Sequence, residues 1–149
     1  MEAGRDLDVH AGCPNLIERI ESGLLSYGND MTDDNTPHEC GVGRFCNTQS
    51  AIGCIGRDAL LRVAAEGPVQ QIRAISIEGG PVPPCDRWWP LRAGDRVVGR
   101  ISSAAWSPDF QTNVAIGMVR ITHWDTGTEL SVDVPGGARS AKVEAGFWG

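Results

Sequence analysis

From residue 68 onward, short segments of alternating apolar and polar residues recur, and each is closed by a turn built on glycine, proline or aspartate. Residues 71–77 (QIRAISI) place Ile72, Ala74 or Ile75, and Ile77 at strand spacing, and the glycine- and proline-rich GGPVPP follows. Trp88-Trp89 begins a short strand, and Gly94-Asp95 is a hairpin signal before a strand over 96–105. Residues 113–121 read as another strand, Asp125-Thr126-Gly127 as a turn, and 129–134 as the next strand. Pro135-Gly136-Gly137 then leads into a last strand over 139–144. Short strands at regular spacing, with turn chemistry between them, close into a small barrel or pack as a sandwich. The expectation is an all-β unit of about six strands, near the lower size limit for independent folding.

The texture before Gly67-Pro68 is different. Cys13-Pro14-Asn15 opens a helix with proline at its first position, where the missing N–H costs nothing. Leu16, Ile17, Ile20 and Leu24 form one apolar face, and Gly23 ends the helix. An irregular loop dense in Asp, Asn, Thr, Gly and Pro covers residues 28–43. A second helix is predicted over 57–66, with Ala59, Leu60, Val63 and Ala64 on a buried side, stopped by Gly67-Pro68. The division is therefore 1–67, helices and an acidic loop, and 68–149, the barrel. The first part holds too few apolar positions to form a core alone, so its helices must pack on something else.

Charge narrows the partners. Acidic against basic residues number 11 against 5 over 1–67 and 8 against 8 over 68–149, which leaves the net charge at −6. Nucleic-acid binding needs a basic face to displace counterions, and neither part supplies one, so no nucleic-acid partner is expected. No apolar run approaches a membrane span, and MEAGRDLDVH lacks the basic and apolar regions of a secretory signal. No membrane partner and a cytoplasmic location are expected. The cysteines, Cys13, Cys40, Cys46, Cys54 and Cys85, are odd in number and include no CxxC pair. His38-Glu39-Cys40 with Cys46 can be drawn as a ligand cluster, but buried reduced thiols are preferred and no metal is expected.

The residues alone carry no recognisable reaction. There is no P-loop, dinucleotide fingerprint, nucleophile elbow or HExxH helix, and His10, His38 and His123 are scattered. Trp88-Trp89 could stack on a flat ring, yet neighbouring strand residues face opposite ways, so one of them is expected in the barrel core. Ser102-Ser103-Ala104-Ala105 either lets another segment approach closely or fits a tapering barrel. Arg19 and Glu21 point apart on a helix, leaving Arg19 to hold a carboxylate elsewhere.

A set of short motifs, in order along the chain, adds to this. Arg19-Ile20-Glu21-Ser22-Gly23-Leu24, Tyr27-Gly28-Asn29-Asp30-Met31, Thr36-Pro37-His38-Glu39-Cys40-Gly41-Val42-Gly43 and Ile55-Gly56-Arg57-Asp58-Ala59-Leu60 come first. Val98-Gly99-Arg100-Ile101-Ser102-Ser103, Ser107-Pro108, Asn113-Val114-Ala115-Ile116-Gly117-Met118 and a closing Phe147 follow. Together they resemble the C-terminal part of the aminomethyltransferase (glycine cleavage T-protein) superfamily, and the wording is most similar to its dimethylsulfoniopropionate demethylase branch.

The resemblance implies an α+β fragment: the end of a folate-binding domain, then the C-terminal barrel. It implies a tetrahydrofolate-dependent methyltransferase whose partners are folate, as methyl acceptor, and a small methylated donor such as dimethylsulfoniopropionate. The alternative within the family is the glycine cleavage aminomethyltransferase. T-proteins carry an arginine at the start of the first helix that helps hold the folate-linked substrate, and Asn15 stands there instead. The family's catalytic aspartate and pterin-binding glutamate belong to a region upstream of this match. No catalytic residue is therefore expected in the chain, which looks truncated and inactive alone. Asn15 and Tyr27 are the candidates for facing the cofactor, and the Tyr27–Asp30 turn is expected in the cavity wall or its support. A non-catalytic interaction module, docking through the faces of 14–24 and 57–66, is the reading of a different class, and self-association through those faces is expected.

Overall fold

The computed structural model describes residues 15–48 and 53–149. Strands β1 (Gln70–Ile77), β2 (Trp89–Ala93), β3 (Arg96–Ser107), β4 (Thr112–Arg120), β5 (Glu129–Val134) and β6 (Gly137–Val143) close into one antiparallel barrel. Their order around the barrel is β1-β4-β3-β2-β5-β6, so no strand edge is left open. The expected α+β class and six-stranded barrel are both present. Gly94-Asp95 and Pro135-Gly136 make the two-residue turns of the β2–β3 and β5–β6 hairpins.

The barrel interior is filled by Ile75, Ile77, Trp89, Leu91, Ile101 and Val132 with their buried neighbours. Trp89 is therefore the core member of the tryptophan pair, and Trp88 stays half exposed. β4 is buried along nearly its whole length because both its faces are covered. Ala115 and Val119 point inward, while Val114, Ile116 and Met118 belong to a second cluster on the outer face. Gly117 faces a closely packed interior: a Cβ there would lie 3.0 Å from Ile75 Cγ1 and 3.1 Å from Ile101 Cδ1.

The outer cluster is closed by α1 (Leu16–Glu21), which packs against β3 and β4. The expected start at Pro14 lies outside the described residues. The N-cap is Asn15, whose Oδ1 accepts from Glu18 N at 2.9 Å while Glu18 Oε2 accepts from Asn15 N at 3.2 Å. This reciprocal capping box satisfies two donors that a six-residue helix cannot satisfy internally. The expected four-residue apolar face is corrected. Ile20 alone in α1 is buried, and Leu16 and Leu24 are about half exposed, because the helix ends at Glu21 and rests on the barrel over a single turn. Burial of Ile20 contributes about 2 kcal/mol.

The C-terminal residues strap α1 down. Trp148 N and Gly149 N both donate to Glu21 O, at 2.8 and 3.0 Å, and Phe147 and Trp148 pack on the outer cluster. Gly23 is left-handed (φ 68°) and lies under the Phe147 ring, which a Cβ would strike. On the other flank, Ile72 N donates to Glu39 O at 2.8 Å, so the 36–46 loop continues the hydrogen bonding of β1.

α2 (Arg57–Glu66) has its expected bounds, but its expected buried side is not found: none of its residues is buried. Ala59 and Ala64 are exposed, and Leu60 and Val63 are only partly covered. The apolar periodicity is present, yet the α1 strap and the loop already occupy the outer cluster of the barrel, and nothing among the described residues buries this helix. No helix among the described residues is long and apolar enough to cross a membrane.

Candidate functional site: a turn pinned to the barrel wall

The turn after α1 is fixed by one carboxylate. Asp30, 1% exposed, accepts from Ser102 Oγ at 2.6 Å and Ser103 Oγ at 2.7 Å on Oδ1. Its Oδ2 accepts from Arg19 Nη1 at 2.7 Å and from Ser26 N at 2.8 Å. Two neighbouring serines of a regular strand face opposite ways, so both can reach Asp30 only because β3 is irregular there. The register against β4 slips between Ile101 and Ser103, and the bulged Ser102 brings its hydroxyl to the outer face beside that of Ser103. The small side chains of this segment thus serve the first of the two expected purposes, close approach of another segment.

Arg19 completes the hub. It also donates to Ser103 Oγ at 2.7 Å and to Leu24 O at 2.8 Å, which ties helix, turn and barrel together. The carboxylate expected for Arg19 is therefore Asp30. Asn29 Nδ2 adds bonds to Ser102 O and Ser103 Oγ, both at 2.9 Å. With four donors on two oxygens, Asp30 has no lone pair left for proton transfer. Its role is positional.

What the hub presents is aromatic. Tyr27 is 66% exposed, and its hydroxyl donates to Asp33 Oδ1 at 2.8 Å. That hydrogen bond, reinforced by the charge of Asp33, holds the phenol above its usual pKa. Trp88 Nε1 donates to Asn29 O at 3.1 Å, and the Arg100 guanidinium lies 4.0 Å from the Trp88 ring centroid. The two sequence-predicted residues are not brought together. Tyr27 stands on the exposed turn, whereas Asn15 is at the far end of α1, with Oδ1 occupied by the cap. Nothing in the spacing of Asp30, Ser102 and Ser103 announces the hub, since its partners lie 72 and 73 residues apart.

Beside the turn, between residues 22–25 that follow α1, the 40–44 loop, β1 and the strap, lies a cleft of 710 Å³. Leu24, Leu25, Cys40, Ile72, Arg73 and Phe147 are among its lining residues. Burial first, and Glu39 second, push the Cys40 thiol up, which favours its neutral form. Cys40, Cys46, Cys54 and Cys85 are free thiols. Among the described residues, no group of three or more His, Cys, Asp or Glu side chains is placed to hold a metal ion.

Comparison with known proteins decides the family. A profile described as the glycine cleavage T-protein C-terminal barrel domain matches residues 71–146, the span from β1 to the strap. The chain belongs to the glycine cleavage T-protein family.

Among T-protein relatives, the dimethylsulfoniopropionate demethylase of Ruegeria pomeroyi is 57% identical over 146 residues, covering 98% of this chain and 39% of that protein. An aminomethyltransferase of Symbiobacterium thermophilum is 33% identical over 125 residues, covering 84% of this chain and 33% of that protein. The crystal structure of the glycine cleavage system aminomethyltransferase T from Bartonella henselae superposes with a TM-score of 0.77 at 24% identity, over 87% of this chain and 36% of that one. At that identity the superposition shows the T-protein fold alone. The chain thus spans between a third and two-fifths of the length of the T-proteins it matches.

Proposed function

We propose that this chain forms the C-terminal wall of a tetrahydrofolate-dependent methyltransferase, one that takes a methyl group from dimethylsulfoniopropionate or a similar methylated compound. The observation that carries the reading is the 57% identity to a dimethylsulfoniopropionate demethylase across 98% of the chain. Residues 1–67 are then the closing piece of a folate-binding domain and 68–149 its barrel neighbour. A cytoplasmic location fits that chemistry.

A sulfonium methyl is already activated. The folate N5 lone pair forms the new N–C bond, the S–C bond breaks, its electron pair stays on sulfur, and the N5 proton passes to a base. The products are 5-methyltetrahydrofolate and a neutral thioether. Such a displacement depends on alignment and on exclusion of water. The hub at Asp30 suits the first need, because it locks the Tyr27 turn to a rigid barrel. Tyr27, with Trp88 beside its turn, offers flat apolar surface to a ring, and the Asn15 amide nitrogen has no partner among the described residues; we assign both Tyr27 and Asn15 to the ligand-facing side. No described side chain is assigned the base.

The test is a chimera in which this chain replaces the matching segment of the Ruegeria pomeroyi demethylase. Methyl transfer from dimethylsulfoniopropionate to tetrahydrofolate at a rate near that of the parent is the expected result. A folded chimera that transfers nothing, or that accepts only an aminomethyl donor, would overturn the assignment.

A further inference from the structure

On the outer face of the barrel, β1, β3 and β4 enclose a small hollow of 270 Å³ lined by Gln70, Val97, Gly99, Arg100, Met118 and Arg120. The register explains why the polar residues meet. Gln70 is paired with Arg120, and Arg100 with Met118, two positions along the same strand. Met118 belongs to the outer cluster, so Arg120, Gln70 and Arg100 share its face.

The hollow is rich in donors and short of acceptors. Neither Arg100 nor Arg120 takes part in a salt bridge among the described residues. Arg100 Nε is buried with no hydrogen-bond partner among the described residues. Two other arginines of the barrel differ. Arg92 pairs with Asp133 at 2.7 Å, and Arg73 donates to Trp124 O at 3.0 Å. A buried unsatisfied donor is costly and calls for an explanation, of which an absent ligand is one.

Trp88 strengthens that explanation. Its ring lies against the Arg100 guanidinium at 4.0 Å, and Trp88 is itself tied to the turn through Asn29 O. Contact with an aromatic face orients a guanidinium without consuming any of its N–H groups, since those donate in the guanidinium plane. Arg100 is thus held in place with its Nε–H unspent among the described residues. A second cation and a side-chain amide lie in the same hollow, and among the described residues no carboxylate lines it. A guanidinium fork matches the paired oxygens of a carboxylate or a phosphate.

We infer that Arg100, Arg120 and Gln70 form an oxyanion-binding subsite for a small ligand carrying a carboxylate or phosphate group. The inference does not rest on methyl transfer, and its test contains neither methyl donor nor folate.

The full chain is titrated with citrate and, separately, with inorganic phosphate, by calorimetry and by tryptophan fluorescence. Saturable one-site binding that weakens with added salt is expected, together with a Trp88 emission change that Trp88→Phe removes. The tighter of the two anions identifies the group as carboxylate or phosphate. Arg120→Gln, at an exposed position, and Arg100→Gln should each weaken binding about tenfold, the loss of one charge-assisted contact. Arg100→Lys keeps the charge but not the fork and should also bind more weakly. Arg62→Gln, on α2, should leave affinity unchanged. Thermal melts establish that each variant is folded. No saturable binding of either anion, or binding that Arg100→Gln and Arg120→Gln leave intact, would overturn the subsite.

Discussion

Asp30 Oδ1 and Ser103 Oγ lie 2.7 Å apart across 73 residues of sequence, and this bond fixes the turn after α1 to the β3 bulge. Asp30 is buried, and the side chain of its cation Arg19 is 17% exposed. Removing the carboxylate strands that cation and two hydroxyls. Asp30→Ala should therefore destabilise the chain by about 3 kcal/mol, as expected when one partner of a buried pair is deleted. Urea unfolding measures it, and a loss below about 1 kcal/mol would reduce the hub to an ordinary surface pair.

Gly23 and Phe147 make a second long-range lock. Gly23→Ala meets two obstacles, a left-handed backbone (φ 68°) and the Phe147 ring. A cost of about 2 kcal/mol is expected from the backbone alone. Because the ring adds to it, Phe147→Ala should partly relieve Gly23→Ala. A double-mutant cycle should return a coupling of about 1 kcal/mol, and strict additivity would mean that the two residues do not meet.

How far the sequence discloses this architecture depends on the range of the interaction. β5 falls on 129–134 as read, because its alternation and its flanking turns are local. At the start of α1, Asn15 and Glu18 stand at capping-box spacing, and the helix begins at Leu16, two residues after the proline that suggests its first position. α2 has a correct period and a wrong inference, since periodicity shows that a helix has an apolar side and says nothing about what covers it. The hub was out of reach. Alternation would send Ser102 and Ser103 to opposite faces, and only the bulge brings both to Asp30.

Cys85 gives a prediction in pH. Burial first, then Asp30 and Asp86, raise its thiol from 9.0 to about 11. The neutral thiol is the form that the fold favours. Its contribution to stability is complete below pH 9.0 and is lost as pH rises through about 11. Alkylation of Cys85 by iodoacetamide, followed by peptide mass spectrometry, should rise with a midpoint near pH 11. A midpoint at or below 9.0 would place the thiol in water.

The uncovered apolar residues bear on association. Phe45 is 70% exposed and Val69 71%, and α2 is buried nowhere along its length. Exposed apolar surface of this kind drives contact between copies. Sedimentation velocity over a range of concentrations should show reversible self-association, weakened by Leu61→Glu. A sharp monomer at every concentration would contradict this.

The account centres on the Tyr27 turn as a wall for tetrahydrofolate, and the KM for tetrahydrofolate tests that most directly. In the demethylase chimera, Tyr27→Ala should raise this KM about tenfold, equivalent to about 1.4 kcal/mol of lost contact, with the melting temperature unchanged. Tyr27→Phe, which keeps the ring and loses only the bond to Asp33, should stay close to the parent. An unaltered KM in Tyr27→Ala would contradict the account.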